Sequence, residues 1–310
     1  MGGSSERPAL IDRSTETVRP RTDLIRRLGV VAAVIVVFAV AGCSSETVGQ
    51  LSRLGMPAPA TEEGPTILNL WMGTWIAALV VGVGVLGAIL YVALRFRTKH
   101  NAMPKQNRYN LPMEILYTIA PFIVIGVLFY YTVLAQNRVT QNDAAGDHTV
   151  TVVAQKWSWS FNYRSADNPA VGTDVYEVGT ISQTPTLYLP VNKSVRFVLT
   201  SYDVIHSFWV PSFYRKLDVI PGKDNAMVMT PTTEGEFRGK CTELCGTYHQ
   251  SMLFNVRVVS EEEFNTYLKS LAARGQVGEV RGAADAYVPA PRQDQTGPEE
   301  EALARSGEGE

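Results

Sequence analysis

The sequence predicts two membrane-spanning helices followed by an all-β domain with the architecture of a sandwich or barrel. Two observations predict this fold class. Apolar residues are gathered in three long blocks, and the chain after about residue 148 changes to short alternating runs. Charged residues make up only 19% of the 310 residues and the net charge is −2, so nothing indicates a nucleic-acid partner.

The first apolar block has the features of an export signal. Residues 28–42 are apolar or small and follow four arginines, a combination that describes a signal peptide over residues 1–42. The block ends in VAGC at positions 40–43, which resembles the bacterial lipobox, where a lipid is attached to the cysteine. We predict that Cys43 is lipidated. The alternative is an uncleaved anchor helix with an incidental cysteine.

Two further apolar blocks are long enough to cross a bilayer. Residues 64–94 carry no charge and residues 111–136 carry one, and a spanning helix needs about 20 apolar residues. We expect both helices within residues 67–137, after a tether at residues 43–66. Their connecting loop, residues 95–110, has five Lys or Arg and no acidic residue, so the positive-inside rule places it in the cytoplasm. The tether and the chain after the second helix are then outside.

The chain beyond the second helix has the pattern of β-strands. Between about residues 148 and 259, short alternating runs are separated by turn signals such as VNKS at 191–194. Several short strands separated by turns predict a β-sandwich or barrel over residues 138–260. Residues 261–310 are expected to hold a C-terminal helix and, from about Ala272, a disordered tail with little to bury.

One short loop gathers the soft metal ligands of this domain. Cys241 and Cys245 are four residues apart, His249 and Met252 follow, and His206 precedes them on a separate predicted strand. Thiolate, thioether and imidazole together select copper, whereas zinc has little use for a thioether. Two thiolates at this spacing could bridge a pair of copper ions. The alternative is a structural disulfide, which leaves His249 and Met252 unexplained.

The ligand loop resembles a known family. The pattern C-x-E-x-C-x-x-x-H-x-x-M, with S-x-D-V-x-H-S upstream, is similar to the CuA domain in subunit II of haem–copper cytochrome c oxidases. Two spans ahead of an external β-domain also match that family, and the similarity covers roughly residues 68–260. The resemblance implies a cupredoxin-like Greek-key sandwich or barrel that holds a binuclear copper centre, with two copper ions per chain.

The resemblance also assigns ligand roles. Cys241 and Cys245 would bridge both copper ions, and His206 and His249 would be the terminal imidazoles. Met252 would be a weak ligand of one copper ion.

Further roles follow by resemblance for residues around the loop. Glu243 would give its backbone carbonyl to the second copper ion and its side chain to a magnesium ion shared with subunit I. Trp157, in QKWSWSF, matches the exposed tryptophan that receives the electron from cytochrome c, although alternating rings also suit a buried face. Asp203 matches an acidic residue near the docking surface, but Tyr202 stands where the family often has a second acid.

Glu114 carries the one charge of the second span and has two interpretations. The resemblance places it at the mouth of a proton-uptake path into subunit I. A carboxylate near a helix N-terminus is also electrostatically favourable without any further role.

The resemblance implies a subunit of a proton-pumping cytochrome c oxidase that passes electrons from cytochrome c through the copper centre to the haem of subunit I. The oxygen-reducing site would lie on another subunit. Expected partners are subunit I, the other oxidase subunits, a soluble or supercomplex-tethered cytochrome c, and membrane lipid. The expected location is the bacterial cell membrane, multi-pass, with the β-domain outside. The alternative is a membrane-tethered lipoprotein that binds or delivers copper.

Overall fold

The computed structural model describes five stretches of the chain: residues 29–30, 45–96, 106–140, 145–223 and 225–281. The predicted lipidation site, most of the predicted signal peptide and the last 29 residues lie outside the described residues. The chain divides into two compact units, residues 1–52 and 53–310. In the first unit, helix α1 spans Ser45–Ser52.

Two long apolar helices open the second unit. Helix α2 spans Gly64–Arg95 and helix α3 spans Leu111–Thr140, and both are long and apolar enough to cross a membrane. Pro65 in the first turn of α2 suits a helix start, because the first N–H groups have no partner inside the helix. At a rise of 1.5 Å per residue, each helix exceeds a hydrocarbon core of about 30 Å. The two helices contact each other.

The chain after α3 forms a β-sandwich. Its strands are β1 (His148–Gln155), β2 (Ser158–Tyr163), β3 (Val175–Val178), β4 (Thr186–Pro190), β5 (Val195–Ser201), β6 (His206–Trp209), β7 (Lys216–Val219), β8 (Asn225–Met229), β9 (Gly235–Cys241) and β10 (Leu253–Val259). Within the described residues they form two five-stranded sheets, ordered β3-β2-β1-β5-β8 and β4-β10-β9-β6-β7. Strand β1 runs parallel to β5, and β4 runs parallel to β10.

The core lies between the two sheets. Residues of β5 alternate between buried and half-buried, as expected for a strand with one face on the core. The centre is aromatic: Trp159, Phe208 and Phe254 are fully or almost fully buried, and their rings contact one another at centroid distances of 4.9–5.8 Å. These rings lie directly beneath the loop that carries the predicted metal ligands, because Trp159 donates its indole N–H to the carbonyl of Met252 at 3.3 Å.

The chain after the sandwich is ordered further than expected. Helix α4 spans Glu261–Ala273 and buries Phe264, Leu268 and Leu271. The disordered tail predicted from Ala272 does not begin there, since the described chain continues to residue 281 as an added edge on β3. No local pattern in residues 274–281 indicates this pairing, because the partner groups lie about 100 positions earlier, at and just before β3.

The predicted tether also packs on the sandwich. The backbone N–H of Ala60 donates to Ser212 at 2.8 Å, and its carbonyl accepts from Thr232 at 2.9 Å. Ala60 and Thr61 are each 1% exposed. This part of residues 43–66 is therefore held by the domain rather than being a free linker.

Candidate metal centre

Two paired strands position the first ligands. His206 begins β6 and Cys241 ends β9, and these strands pair antiparallel with Phe208 opposite Cys241. The pairing places Nδ1 of His206 3.9 Å from Sγ of Cys241. The ligand atoms of His206, Cys241 and Cys245 all lie within 4.8 Å of one another.

The loop between β9 and β10 supplies the remaining groups. Sγ of Cys245 lies 3.5 Å from Nδ1 of His249 and 3.8 Å from Sδ of Met252. The backbone carbonyl of Glu243 lies 3.2 Å from Sγ of Cys241, and the Glu243 side chain is exposed. All six residues that the sequence nominated as ligands are thus brought together around two sulfur atoms.

The two thiols are not bonded to each other. Their sulfur atoms are 3.9 Å apart, whereas a disulfide holds them near 2.05 Å. Two sulfurs that each bind a metal at about 2.3 Å can lie up to about 4.6 Å apart, so both can reach the same ion. Thiolate, imidazole and thioether are the donors that copper prefers, and the cluster therefore fits copper.

The electrostatics of the paired sulfurs also suit a cation. Burial opposes ionisation of Cys241, but hydrogen bonds from His206 and the backbone bring the pKa of its thiol to about 7. Burial and the nearby Cys241 sulfur raise the pKa of the Cys245 thiol to about 12. Two thiolate charges at this distance repel each other, and a bound cation would remove that penalty.

Asp203 is a positioning residue whose role the sequence analysis did not find. Its Oδ1 lies 2.8 Å from Nε2 of His206, so the ring turns Nδ1 towards the sulfurs. Its other oxygen accepts the backbone N–H of Lys156 at 2.6 Å. Burial alone would raise the pKa of Asp203. Hydrogen bonds from His206 and from the backbone N–H groups of Lys156 and Val204 outweigh burial, and the pKa is lowered. The spacing D-x-x-H in the sequence is the signal that could have indicated this carboxylate–histidine pair.

Trp157 lies against the ligand loop. Its indole N–H donates to the backbone carbonyl of Cys245 at 3.2 Å, and its ring meets Tyr248 edge-on at 4.9 Å. The side chain is half-buried, whereas the next tryptophan, Trp159, is fully buried. Of the alternating rings, Trp157 is thus the one that touches both solvent and a ligand residue.

Glu114 lies far along the chain from the cluster, in a helix cap. Its carboxylate accepts the backbone N–H of Asn110 at 3.0 Å, and the Asn110 side chain accepts from Met113 at 3.4 Å. This reciprocal arrangement resembles a capping box, with the carboxylate one residue later than in the usual motif. It accounts for a carboxylate at this position, and the predicted proton-path role stays a prediction.

Comparison with known proteins decides the family. Residues 148–259 match the family model described as cytochrome c oxidase subunit II, periplasmic domain. The chain is 45% identical to a probable cytochrome c oxidase subunit 2 of Streptomyces avermitilis over 306 residues, which covers 87% of this chain and 92% of the relative. The chain belongs to the cytochrome c oxidase subunit II family. The corresponding protein of Streptomyces coelicolor is 44% identical over the same shares.

Subunit II membership agrees with the geometry already described. The chain is an oxidoreductase subunit, part of a haem–copper terminal oxidase, and the expected fold of two apolar helices before a cupredoxin-like sandwich is confirmed. Subunits II generally bind copper, and the cysteine–histidine cluster fits that property. A solved periplasmic domain of subunit II from Bradyrhizobium japonicum is 29% identical, covering 43% of this chain and 98% of that one with a TM-score of 0.37.

Proposed function

We propose that this chain is the subunit through which electrons reach the oxidase, taking them from cytochrome c and delivering them to the haem of subunit I. The observation that supports this function is a pair of thiols 3.9 Å apart, surrounded by two imidazoles, a thioether and a backbone carbonyl. A binuclear CuA centre bound here would accept and release one electron at a time.

The distances support the ligand assignment that the family resemblance implies. Cys241 and Cys245 would hold both copper ions, with His206 beside the first sulfur and His249 beside the second. Met252 would be the weak ligand on the side of Cys245. Glu243 would offer its carbonyl on the side of Cys241, and its exposed side chain is free to reach a magnesium ion at the subunit I interface.

Trp157 is the proposed point at which the electron arrives. The indole is half-buried and hydrogen-bonded to the carbonyl of Cys245, so one side chain connects the surface to a ligand residue. Proximity of this kind favours transfer from a haem that docks against the exposed edge of the ring.

The proposed placement is a multi-pass protein of the bacterial cell membrane, with helices α2 and α3 in the bilayer. The positive loop between them would face the cytoplasm and the β-sandwich would face outside. Lipidation of Cys43 and a proton-path role for Glu114 belong to this proposal as sequence-based predictions.

The copper centre can be tested on the purified full chain in detergent, reconstituted with copper. We expect two copper ions per chain that share one unpaired electron in the paramagnetic resonance spectrum. Cys245→Ser should abolish this signature, because a bridging thiolate is lost. Cys43→Ser is the matched control and should retain both copper ions, since its sulfur lies outside the ligand loop. A single copper ion in the unaltered chain would contradict the proposal.

Electron transfer through Trp157 is tested separately. In the oxidase complex, Trp157→Ala should slow the oxidation of reduced cytochrome c while copper content and reduction by a small dye stay normal. If Trp157→Ala and the unaltered oxidase oxidise cytochrome c at equal rates, Trp157 is not on the route of the electron.

A further inference from the structure

The turn at residues 53–56, ahead of helix α2, is held in an unfavourable backbone conformation. Leu54 has a φ of +52°, in the left-handed region that residues other than glycine rarely adopt, and Gly55 follows at +87°. The backbone N–H of Met56 closes the turn on the carbonyl of Arg53 at 3.3 Å. Trp71 of α2 donates its indole N–H to the carbonyl of Leu54 at 3.3 Å. A strained backbone persists only where its surroundings hold it, and this bond ties the turn to a fixed point on α2.

The side chain of Arg53 is oriented by one of its three nitrogens. Its Nε–H lies 3.1 Å from the carbonyls of both Met56 and Pro57. Within the part of the chain that the structure describes, the two terminal nitrogens donate to no group and no carboxylate forms an ion pair with them. The side chain is half-buried. A guanidinium held in one orientation, with a fork of open N–H donors and no counter-charge, matches the geometry of a phosphate group.

The length of α2 gives the level of Trp71 in a bilayer. A hydrocarbon core of about 30 Å corresponds to about 20 helical residues. In the proposed placement α2 ends on the cytoplasmic side at Arg95, and about 20 positions before it stands Trp75. Trp71 is one turn further out, by about 6 Å, and the headgroup layer adds about 5–7 Å on each side of the core. The Trp71 indole and the turn that it binds are therefore level with the lipid headgroups.

Helix α3 gives the same boundary independently. About 20 positions after Leu111, where α3 begins on the cytoplasmic side, stand Tyr130 and Tyr131, whose rings meet edge-on at 5.5 Å. Trp71 and Trp75 form a similar pair at 5.7 Å. Tryptophan and tyrosine are enriched where the hydrocarbon core meets the headgroups. The two aromatic pairs therefore mark the outer boundary of the core on both helices.

We propose that Arg53 binds the phosphate of an anionic phospholipid in the outer leaflet, held in place by the turn at residues 53–56 and by Trp71. The inference rests on the membrane placement in the proposed function. The guanidinium lies at headgroup level, and its Nε–H bonds leave the terminal donors for the phosphate. An anionic lipid neutralises the charge of Arg53, whereas a zwitterionic lipid brings a cation of its own. Binding holds the segment before α2, which packs on the sandwich, at the membrane surface.

The test uses the purified full chain in a neutral detergent, titrated with phosphatidylglycerol, phosphatidylcholine or inorganic phosphate. Native mass spectrometry counts the bound lipids, and the melting temperature reports stabilisation. The positive loop between the helices also attracts anionic lipid, so the site is measured as the difference between the unaltered chain and Arg53→Gln. We expect this Arg53-dependent binding to be about fivefold weaker for phosphatidylcholine than for phosphatidylglycerol, and absent for inorganic phosphate.

Three variants isolate the site. Arg53→Gln should retain one phosphatidylglycerol fewer per chain and lose most of the stabilisation by that lipid. Arg238→Gln, at an exposed position of β9, is the matched control and should bind lipid as the unaltered chain does. Trp71→Phe keeps Arg53 but removes the bond to the Leu54 carbonyl, and should weaken binding about threefold. Trp71→Phe decides the matter if Arg53→Gln fails to fold.

The outcomes separate this inference from the proposed placement. Equal lipid binding by Arg53→Gln and the unaltered chain would overturn the site, and so would Arg53-dependent binding that is equal for both lipids. Arg53-dependent stabilisation by inorganic phosphate would overturn the lipid as its ligand. Alkaline extraction of vesicles containing the chain tests the placement separately. If the chain resists extraction but Arg53→Gln changes nothing, the site is wrong and the placement stands. If the chain is extracted, the proposed placement itself fails.

Discussion

Gly246 lies where backbone conformation and a close contact both exclude a side chain. Its φ is +120°, and a Cβ at this position would come within 3.1 Å of the Trp157 indole. Gly246→Ala should therefore lower the free energy of unfolding by about 2 kcal/mol and displace the indole from the Cys245 carbonyl. Chemical denaturation of the purified chain measures the first effect, and the rate of cytochrome c oxidation measures the second.

Gly222 provides the matched control for this substitution. Its φ of +73° also favours glycine, but a Cβ there would meet nothing within 4 Å. Gly222→Ala should lose stability without affecting cytochrome c oxidation. If both variants oxidise cytochrome c equally fast, the packing of Gly246 against Trp157 has no functional consequence.

The hydrogen bond that Nε2–H of His206 donates to Asp203 should contribute to copper affinity. Asp203→Asn keeps an oxygen near the ring but removes the charge that favours Nδ1 as the metal donor. Loss of such a partner typically weakens metal binding by about 10–100-fold. A copper competition titration checks this, with Asp218→Asn, at an exposed position of β7, as the control that should bind normally. Equal affinity of Asp203→Asn and the unaltered chain would contradict the positioning role.

At the scale of elements, helix α4 is joined to the sandwich through a buried histidine. The ring of His148 meets that of Phe264 at 5.4 Å, and its Nδ1 lies 3.2 Å from the Asn168 side chain. Burial lowers the pKa of His148, against the opposing effect of Asp167 and Asp147. Helix packing here therefore depends on a neutral imidazole.

The stability of the fold depends on pH because the folded and unfolded chains bind different numbers of protons at His148. The folded pKa of His148 lies below the unfolded value near 6.5, so the unfolded chain binds more protons below that pH. The contribution of the neutral His148 ring to the stability of the fold is complete above pH 6.5. It is lost as the pH falls towards the pKa of His148 in the folded chain. Lys193 adds to this shift and Glu261 opposes it.

Thermal unfolding of the copper-loaded full chain between pH 7.5 and pH 5 checks this expectation. The melting temperature should fall with pH, and it should fall less in His148→Gln, which has no titrating ring. An identical fall in both proteins would assign the pH dependence to other groups.

At the scale of the whole second unit, the segment before α2 fastens the sandwich to the membrane helices. Ala60 lies between backbone partners at Ser212 and Thr232, and the Tyr214 hydroxyl donates to the carbonyl of Pro57 at 2.7 Å. On the other helix, Arg215 donates to the carbonyl of Val139 at 3.3 Å. Both helices are therefore connected to the same side of the domain.

Ala60→Glu should disrupt the packing of the segment before α2 against the sandwich. A carboxylate at a position 1% exposed has no partner, and the expected loss is about 3 kcal/mol of unfolding free energy. Ala58→Glu, two residues earlier and exposed, is the matched control and should change stability by less than about 0.5 kcal/mol. Denaturant unfolding in detergent compares them. Equal stabilities would show that the segment contributes no packing.

Much of the site could be predicted because its chemistry is local in the sequence. Cys241, Cys245, His249 and Met252 fall within twelve residues, and so rare a set of soft donors has few alternative explanations. His206 is distant, but its motif resembles the family closely enough to identify it. The second carboxylate oxygen of Asp203 accepts from Lys156 in the turn between β1 and β2, and no local pattern in the sequence indicates this bond.

Sequence alone determined the two long apolar helices and the donor set, because hydrophobic length and ligand type are properties of short stretches. Tertiary structure decided which backbone groups meet. It placed Ala60 against Ser212 and Thr232, put Asn162 against Val280, and turned Trp157 towards the Cys245 carbonyl. These contacts join residues from 88 to more than 150 positions apart. No local pattern records them, since they depend on how two sheets pack and where each strand ends.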